Sequence, residues 1–417
     1  MGEAYIIDAV RTPRGIGKPG KGAFADMHPQ HVAATVLKAL AERNNLETCE
    51  VDDVIWSVST QRGKQGADLA RMAALDAGFD VRASGVTIDR FCGGGITSVN
   101  LAAAQIRSGM EDVIIAGGTE MMSLLASMMA EDIAAGVMPM GMNSGNDRLQ
   151  AAHPQAHQGV CADAVAAMED IGRADLDAWA LASQHRAARA IENGYFDKSL
   201  VPVYRADGSL ALDQEQYPRP ETTAQDLAAL KPSFAAMADM PLDAKATTFR
   251  QMINAKYPDL QIVPVHHAGN SSGVVDGAAG LLLASADYVN RTGLKPRAKV
   301  LATANIGDCP TLMLNAPVPA ARKVLNKAGL TIADIDLWEI NEAFAVVVEK
   351  FIRDLGLDRD KVNVNGGAIA LGHPIGATGA MLIGTMLDEL ERRDLRRGLV
   401  TMCAAGGMAP AIIIERV

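Results

Sequence analysis

Residues 85–118 read GVTIDRFCGGGITSVNLAAAQIRSGMEDVIIAGG, and the order of residue types in this stretch decides the fold. A β-branched run meets a glycine-rich turn, a helical pattern of small and apolar residues follows from Ile96 to Ser108, and DVIIAGG (112–118) closes the unit. Short apolar runs bounded by turn residues mark buried strands, and spaced apolar positions mark helices packed on them. The same order returns at residues 362–407: VNVNGGAIALGHPIG, a helical pattern from Ala377 to Arg392, then GLVTMCAAGG.

The correspondence extends outward. AYIIDAV (4–10), HVAATVLKALAERN (31–44), DVIWSVS (53–59) and DLARMAALDAG (68–78) precede the first copy. AKVLATANIG (298–307), VPAARKVLNKAG (318–329), DIDLWEI (334–340) and EAFAVVVEKFIRDLG (342–356) precede the second. Strands alternating with helices predict an α/β protein, and the repeated order predicts two copies of one layered domain. The expected division is an N-terminal half over 1–123, completed by about 266–290, an inserted loop or lid domain over 124–265, and a C-terminal half over 291–417. If the halves pack about a pseudo-twofold axis, the Cys92 loop and the GHPIG loop of His373 meet near it, and Cys403 faces the same crevice at a strand end, where open α/β sheets bind ligands.

A chain of 417 residues exceeds what one core supports. Aromatic residues are only 4% while hydrophobic residues reach 49%, so the core is packed with aliphatic and small side chains. A net charge of −10 argues against a nucleic-acid surface, and any anionic ligand needs a local basic site. Five cysteines, an odd and sparse set, fit a reducing compartment better than a disulfide framework. The N-terminus lacks a basic segment followed by an apolar one, the C-terminal IIIERV is no retention signal, and no apolar run spans a bilayer, so the expected location is cytoplasmic.

Cys92 precedes three glycines and a helix, whose unpaired N–H groups favour a thiolate; a buried structural cysteine is the competing reading. His373, on a turn between Gly372 and Pro374, suits a base that takes a thiol proton, or a turn histidine bonded to backbone. Cys403 adds a titratable group in CAAGGM, or a packed small residue. Asn341 in EINEAFA stands where a strand gives way to a helix, either as an N-cap or as an amide that positions a water or carbonyl.

Taken together, FCGGG, NEAFA, GHPIGATG and CAAGGM, in that order, resemble the motifs of the thiolase family. AGGTEMMS, NGYFDKSLVPV, LKPSF, AGNSSGVVDGAA and PVPA extend the resemblance over the whole chain. It implies a duplicated α/β/α/β/α fold with an inserted loop domain, and CoA-dependent cleavage of 3-ketoacyl-CoA or its Claisen reversal. Cys92 would carry the acyl group, His373 would activate it, and Cys403 would move the α-proton. Asn341, through a water, and His373 would form one oxyanion hole, and the N–H groups of Cys92 and Ala405 the other. The glycines around both cysteines would clear an approach for the reacting carbonyl. His157 and Ser272 would lie near the pantetheine and Arg219 near the nucleotide, while Met313, Ala343 and Phe344 would line the acyl end. Acyl-CoA enters as substrate, no tightly bound cofactor or metal is implied, and a homodimer or homotetramer is expected.

The departures concern specificity. Asp89 and Gly94 stand where Asn and Ser are usual, MLNAP (313–317) replaces a glycine-bearing segment, Gln158 replaces a common Met, and residues 235–265 form a longer excursion. The adjacent His266 and His267 on a strand would point to opposite faces with no carboxylate cluster, which reads as structural, not metal-binding. The Met-rich tract from Met121 to Met142 reads as adaptable packing. A β-ketoacyl synthase-like condensing enzyme would place histidines at the Asn341 and Cys403 motifs, and a non-catalytic acyl-CoA-binding relative would be expected to have lost at least one of the four motif residues.

Overall fold

A computed structural model describes residues 2–137, 144–242 and 246–417; the Met138–Met142 part of the Met-rich tract lies outside them. One large sheet runs through the molecule. Its strands in chain order are β1 (Ala4–Arg11), β2 (Asp53–Ser57), β3 (Val86–Ile88), β4 (Val113–Met121), β5 (Val275–Ser285), β6 (Ala298–Gly307), β7 (Leu337–Ile340), β8 (Arg397–Thr401) and β9 (Met408–Arg416). Their spatial order is β7-β8-β9-β6-β1-β5-β4-β2-β3, with Gly15–Ile16 pairing on β5.

That order is a duplication read outward from its centre. β1 and β6 meet antiparallel through only Tyr5–Lys299 and Ile6–Ala298. On one side β5, β4 and β2 follow β1, and on the other β9, β8 and β7 follow β6, with parallel pairing at β2–β4 and β7–β8 in both halves. β5 completes the first half although it follows the insertion.

The main helices are α1 (Pro29–Arg43), α2 (Leu69–Asp76), α3 (Gly94–Ser108), α4 (Gln158–Met168), α5 (Arg173–Glu192), α6 (Pro317–Ala328), α7 (Ala345–Leu355) and α8 (Ile375–Arg392). Alternate strand residues face different cores, as the period of two requires. Leu281 and Leu283 of β5, with Ile412 and Ile414 of β9, face a middle core containing α3 and α8. Leu282 and Ala284 face α1 and α2, whereas Ala411 and Ile413 face α6 and α7. These three large cores, with a small fourth around Phe196 and Leu371, lie within the α/β/α/β/α stack.

The middle layer depends on missing side chains. A Cβ on Gly379 would lie 2.2 Å from the Ile96 nitrogen, and one on Gly95 would lie 2.8 Å from the Ala380 nitrogen. The contact is reciprocal between α3 and α8, as a pseudo-twofold axis demands.

Two expectations change. The insertion is more helical than its Pro punctuation suggests, and α4 and α5 pack into the core with α6 and α7 instead of only covering a site. α7 begins at Ala345, because the buried Glu342 carboxylate is taken by Trp179 Nε1 (3.0 Å), Ser183 Oγ (2.6 Å), Asn363 Nδ2 (3.0 Å) and Ile369 N–H (3.1 Å). These bonds hold residues 341–344 as an extended loop beside the Ser272 loop, where Ser272 N–H donates to the Ala343 carbonyl at 3.0 Å.

Candidate active site

Cys92 lies in a short 3-10 turn, Phe91–Gly93, that leads into α3. Phe91 takes the left-handed φ of 48°, held by the Asp89 carboxylate, which accepts its N–H at 2.6 Å. The Asp89 departure thus shapes the turn. The Cys92 sulfur is reached by its own N–H, by the side chain of Gln158 and by the Ala405 N–H. Burial outweighs these bonds and pushes the thiol up to about 11. The expectation that the helix start lowers this thiol is therefore corrected: exclusion of water penalises the thiolate more than the local dipoles favour it. A base is needed to draw the proton.

The three glycines after Cys92 also take a different role. A Cβ on Gly93 would meet the Pro410 ring at 2.8 Å, one on Gly94 would meet Ser57 Oγ at 1.7 Å, and Gly95 abuts α8. They let neighbouring elements press against the turn, a packing function in place of the expected clear approach for substrate.

His373 opens the way into α8, as Cys92 does into α3. Gly376, three residues beyond His373, has its carbonyl 3.0 Å from the Cβ position of Gly95, three residues beyond Cys92, so the two helix starts share one crevice. His373 Nδ1 lies 2.6 Å from Thr378 Oγ1, whose hydroxyl donates to the Pro374 carbonyl at 2.9 Å. A hydroxyl that has donated its proton accepts here, so Nδ1 carries the hydrogen and Nε2 presents a lone pair. Burial, followed by the Arg14 charge, lowers the ring to about 4, leaving it neutral and ready to accept a proton.

Asn341 is fully buried, and its Nδ2 approaches His373 Nε2 at 3.4 Å while its Oδ1 has no partner among the described residues. The N-cap of α7 is Phe344, so the capping reading of Asn341 falls. Its free carbonyl and amide are available to a water or a substrate oxygen.

Cys403 is buried beside Cys92, and burial followed by that neighbour raises its thiol far above the ordinary range. It precedes a tight turn in which Ala404 and Met408 exchange backbone bonds of 2.7 and 3.2 Å. Gly406 and Gly407 both have φ of 76°, a left-handed conformation that favours glycine, and the Ala405 N–H just before them lowers the Cys92 thiol.

The candidate CoA residues divide. His157 caps α4 through Nδ1, which accepts the Gly159 N–H at 3.1 Å, and its ring packs on Phe234 and Phe249 with centroids 5.6 and 6.1 Å away. Phe234 meets Phe344 edge-on at 5.9 Å, so His157, Phe344, Ala343 and Ser272 form one continuous wall. Met313 is fully buried in the loop after β6 with φ of 62°. Arg219 stands outside this group, exposed on the rim of a cavity of about 190 Å³ lined also by Tyr217, Asp226, Leu227 and Leu230.

His266 and His267 lie in irregular backbone, not on a strand, and each has a carboxylate of its own: His266 Nδ1 is 2.8 Å from Asp163, and His267 Nε2 is 2.7 Å from Asp177. Among the described residues no group of three or more metal-ligating side chains occurs.

Sequence reasoning missed the roles of four residues, one of which, Gln158, it had noted only as a departure. Thr378 orients His373, and Gln158 touches the nucleophile. Arg14, bonded to buried Glu215 at 2.6 Å, depresses the basicity of His373. Glu120, fully buried on β4, accepts the Ser59, Thr60 and Gly376 N–H groups and so ties β4 to the start of α8. Glu120 had a signal, an acid inside an apolar strand, Thr378 lies in the GHPIGATG motif and Gln158 was a noted departure, whereas Arg14 acts through a contact between distant segments.

The comparisons agree with this geometry. The family described as Thiolase, N-terminal domain matches residues 4–239, and Thiolase, C-terminal domain matches residues 294–416. The chain is 40% identical over 427 aligned residues to a beta-ketoadipyl-CoA thiolase of Pseudomonas knackmussii, covering 100% of this chain and 99% of that protein. It is 39% identical to an acetyl-CoA acetyltransferase of Chromobacterium violaceum, covering 99% of this chain and 100% of the relative. The crystal structure of the Bacillus anthracis acetyl-CoA acetyltransferase superposes with a TM-score of 0.81 at 33% identity, over 100% of this chain and 99% of that one. Two doubled half-domains, with one cysteine at a helix start and another at a strand end, are therefore those of an acyltransferase, and the chain belongs to the thiolase family.

Proposed function

We propose that the chain cleaves 3-oxoacyl-CoA with CoA, and runs the reverse condensation, through an acyl group carried on Cys92. The observation that carries the assignment is that Cys92, at the start of α3, is buried beside Cys403 with the His373–Asn341 pair in the same crevice. In cleavage, His373 Nε2 takes the Cys92 proton as sulfur attacks the 3-oxo carbonyl. The bond between C2 and C3 breaks, its electrons become the enolate of acetyl-CoA, and Cys403 protonates that carbon. CoA then attacks the acyl-Cys92 thioester, giving its proton to the Cys403 thiolate, and the departing Cys92 sulfur recovers its proton from His373. Donors at Cys92 N–H and Ala405 N–H suit one transient oxyanion, and the Asn341–His373 pair, through a water, suits the other.

His157, Ser272, Met313, Ala343 and Phe344 are assigned to the pantetheine and acyl path, and Arg219 to the CoA phosphates. Acyl-CoA is substrate, and these steps invoke no tightly bound cofactor. Relatives whose names specify beta-ketoadipyl-CoA and acetyl-CoA define the two acyl classes to compare, a chain ending in carboxylate and a short neutral one. No helix among the described residues is long and apolar enough to cross a membrane, and all five cysteines are free, which supports a cytoplasmic setting. Assembly as a homodimer or homotetramer is part of the same proposal.

The test is CoA-dependent cleavage of acetoacetyl-CoA, longer neutral 3-oxoacyl-CoAs and 3-oxoadipyl-CoA, with Cys92→Ala and Cys403→Ala in parallel. Turnover by the intact protein is expected on at least one substrate, with none by Cys92→Ala. Cys403→Ala retains acylation by acetyl-CoA and loses condensation. Undiminished turnover by Cys92→Ala would remove it as the acyl carrier.

A further inference from the structure

The long excursion at residues 235–265 carries Lys256 and Tyr257, and both reach a cysteine that the reaction above does not use. Lys256 Nζ lies 3.2 Å from Cys309 Sγ, and Tyr257 Oη lies 3.4 Å from it on the loop after β6. The Lys256 ammonium also stands 5.9 Å from the Tyr257 ring centre. Cys309 is partly exposed and Lys256 exposed, so a small solute reaches both. The other thiols near this loop differ: Cys161 is buried and directed at the Thr311 carbonyl, and Cys92 and Cys403 are buried in the crevice.

We infer that Cys309 and Lys256 form an oxidation site at which a hydroperoxide closes a sulfur–nitrogen cross-link between the excursion and the loop after β6. The electrostatics agree. Burial opposes ionisation of Cys309, yet the Tyr257 hydroxyl, the Leu312 N–H, Lys256 and the Thr311 N–H together hold its thiol below the ordinary value, whereas Cys92 is held above it. In the resting protein the surroundings of the non-catalytic sulfur, and not those of Cys92, favour the thiolate.

The chemistry balances with hydrogen peroxide as oxidant. The Cys309 thiolate attacks one peroxide oxygen; an S–O bond forms, the O–O bond breaks, and the departing hydroxide takes a proton from the Lys256 ammonium to become water. Sulfur is oxidised to sulfenic acid and the peroxide is reduced. The Lys256 amine left by that transfer then attacks that sulfur; an S–N bond forms, the S–O bond breaks, and hydroxide leaves with a proton from nitrogen as a second water. The protein loses two hydrogens, and one peroxide becomes two waters.

The loop is coupled to the Cys403 turn. Asp308 N–H donates to the Gly407 carbonyl at 2.6 Å, and the Asp308 and Cys309 carbonyls lie 2.7 Å from the Cβ position of Gly407. Drawing Cys309 toward Lys256 therefore displaces the segment that presents the Ala405 N–H. Turnover falls about tenfold in the cross-linked protein, less than the hundredfold that a misplacement of about 1 Å can cause.

The full-length protein is treated with hydrogen peroxide at low molar excess, digested, and mapped by mass spectrometry, with turnover measured on the same samples. A Cys309–Lys256 linked peptide lighter by two hydrogens is expected in the wild type. Lys256→Arg keeps the cation without a condensing amine, and should leave a sulfenic acid at Cys309 that dimedone traps. Cys309→Ser should yield neither product and keep its turnover at the same dose. Oxidation of Cys92 or Cys403 with Cys309 still reduced overturns the inference, as does a Cys161–Cys309 disulfide or a Cys309 sulfenic acid that never links in the wild type. A linked protein with full turnover overturns the coupling to the Cys403 turn. The peptide map does not depend on thiolase activity, so its result stands apart from that of the cleavage assay.

Discussion

Replacing Thr378 by Val tests whether the buried hydroxyl sets the chemistry of His373. Valine has nearly the same shape, so the site loses the Nδ1 acceptor at 2.6 Å without a cavity. The Pro374 carbonyl keeps the Ala377 and Thr378 backbone N–H groups at 2.9 and 3.0 Å, which confines the damage to the imidazole. A buried donor left without its acceptor costs about 1–3 kcal/mol. The ring either retains that strained tautomer or moves its hydrogen to Nε2 and ceases to accept the Cys92 proton. A cost of that size corresponds to about a 5- to 150-fold loss in kcat/KM for CoA-dependent cleavage. Thr378→Ser restores the acceptor and should recover most of the activity, and thermal melting of both variants separates this effect from unfolding. Activity of Thr378→Val within about twofold of wild type, with the fold intact, would refute the tautomer argument.

Three further outcomes follow from burial and packing. Because burial pushes the Cys92 thiol up to about 11, its alkylation by iodoacetamide should rise about tenfold per pH unit from about pH 7 to about pH 9; a plateau in that range contradicts a neutral resting thiol. Gly379→Ala places a Cβ 2.2 Å from the Ile96 backbone nitrogen, so urea denaturation should show a loss of about 3 kcal/mol or more, and an unchanged midpoint would dismiss the glycine contact. Burial raises Asp276 to about 6 despite its bonds from Ser123, so this carboxyl binds its proton more tightly folded than unfolded. Its contribution is present at about pH 4 and lost as pH rises through about 6, by about 3 kcal/mol. Asp276→Asn should gain stability relative to wild type over that interval, and a pH-independent difference would show that the carboxyl does not titrate there.

Much of the architecture was legible. The repeated order of strands and helices placed β1, β2 and β4 opposite β6, β7 and β8, because period-two and helical apolar patterns are local properties. β5 was harder to assign, since a strand returning after the insertion pairs with β1 and β4 across a gap that local pattern does not encode. The early start of α3 and the late start of α7 were decided by neighbours: Gly94 fits against Ser57, and Glu342 is drawn away by Trp179, Ser183 and Asn363.

The residue types able to do the chemistry were determined by the sequence itself, since a cysteine before a helix, a histidine on a rigid turn and a second cysteine in a glycine turn are readable one motif at a time. Their protonation was decided only by the tertiary structure. The helix start alone favours a Cys92 thiolate, but α8 and the Cys403 turn exclude water from the crevice and reverse the balance. Arg14 lowers the basicity of His373, and residues 256 and 257 hold the Cys309 thiol low, each across a distance that no local pattern spans, while Thr378, within the same GHPIGATG motif, fixes the His373 tautomer. Desolvation and hydrogen bonding depend on which groups surround an atom, and those surroundings exist only once the two halves have packed.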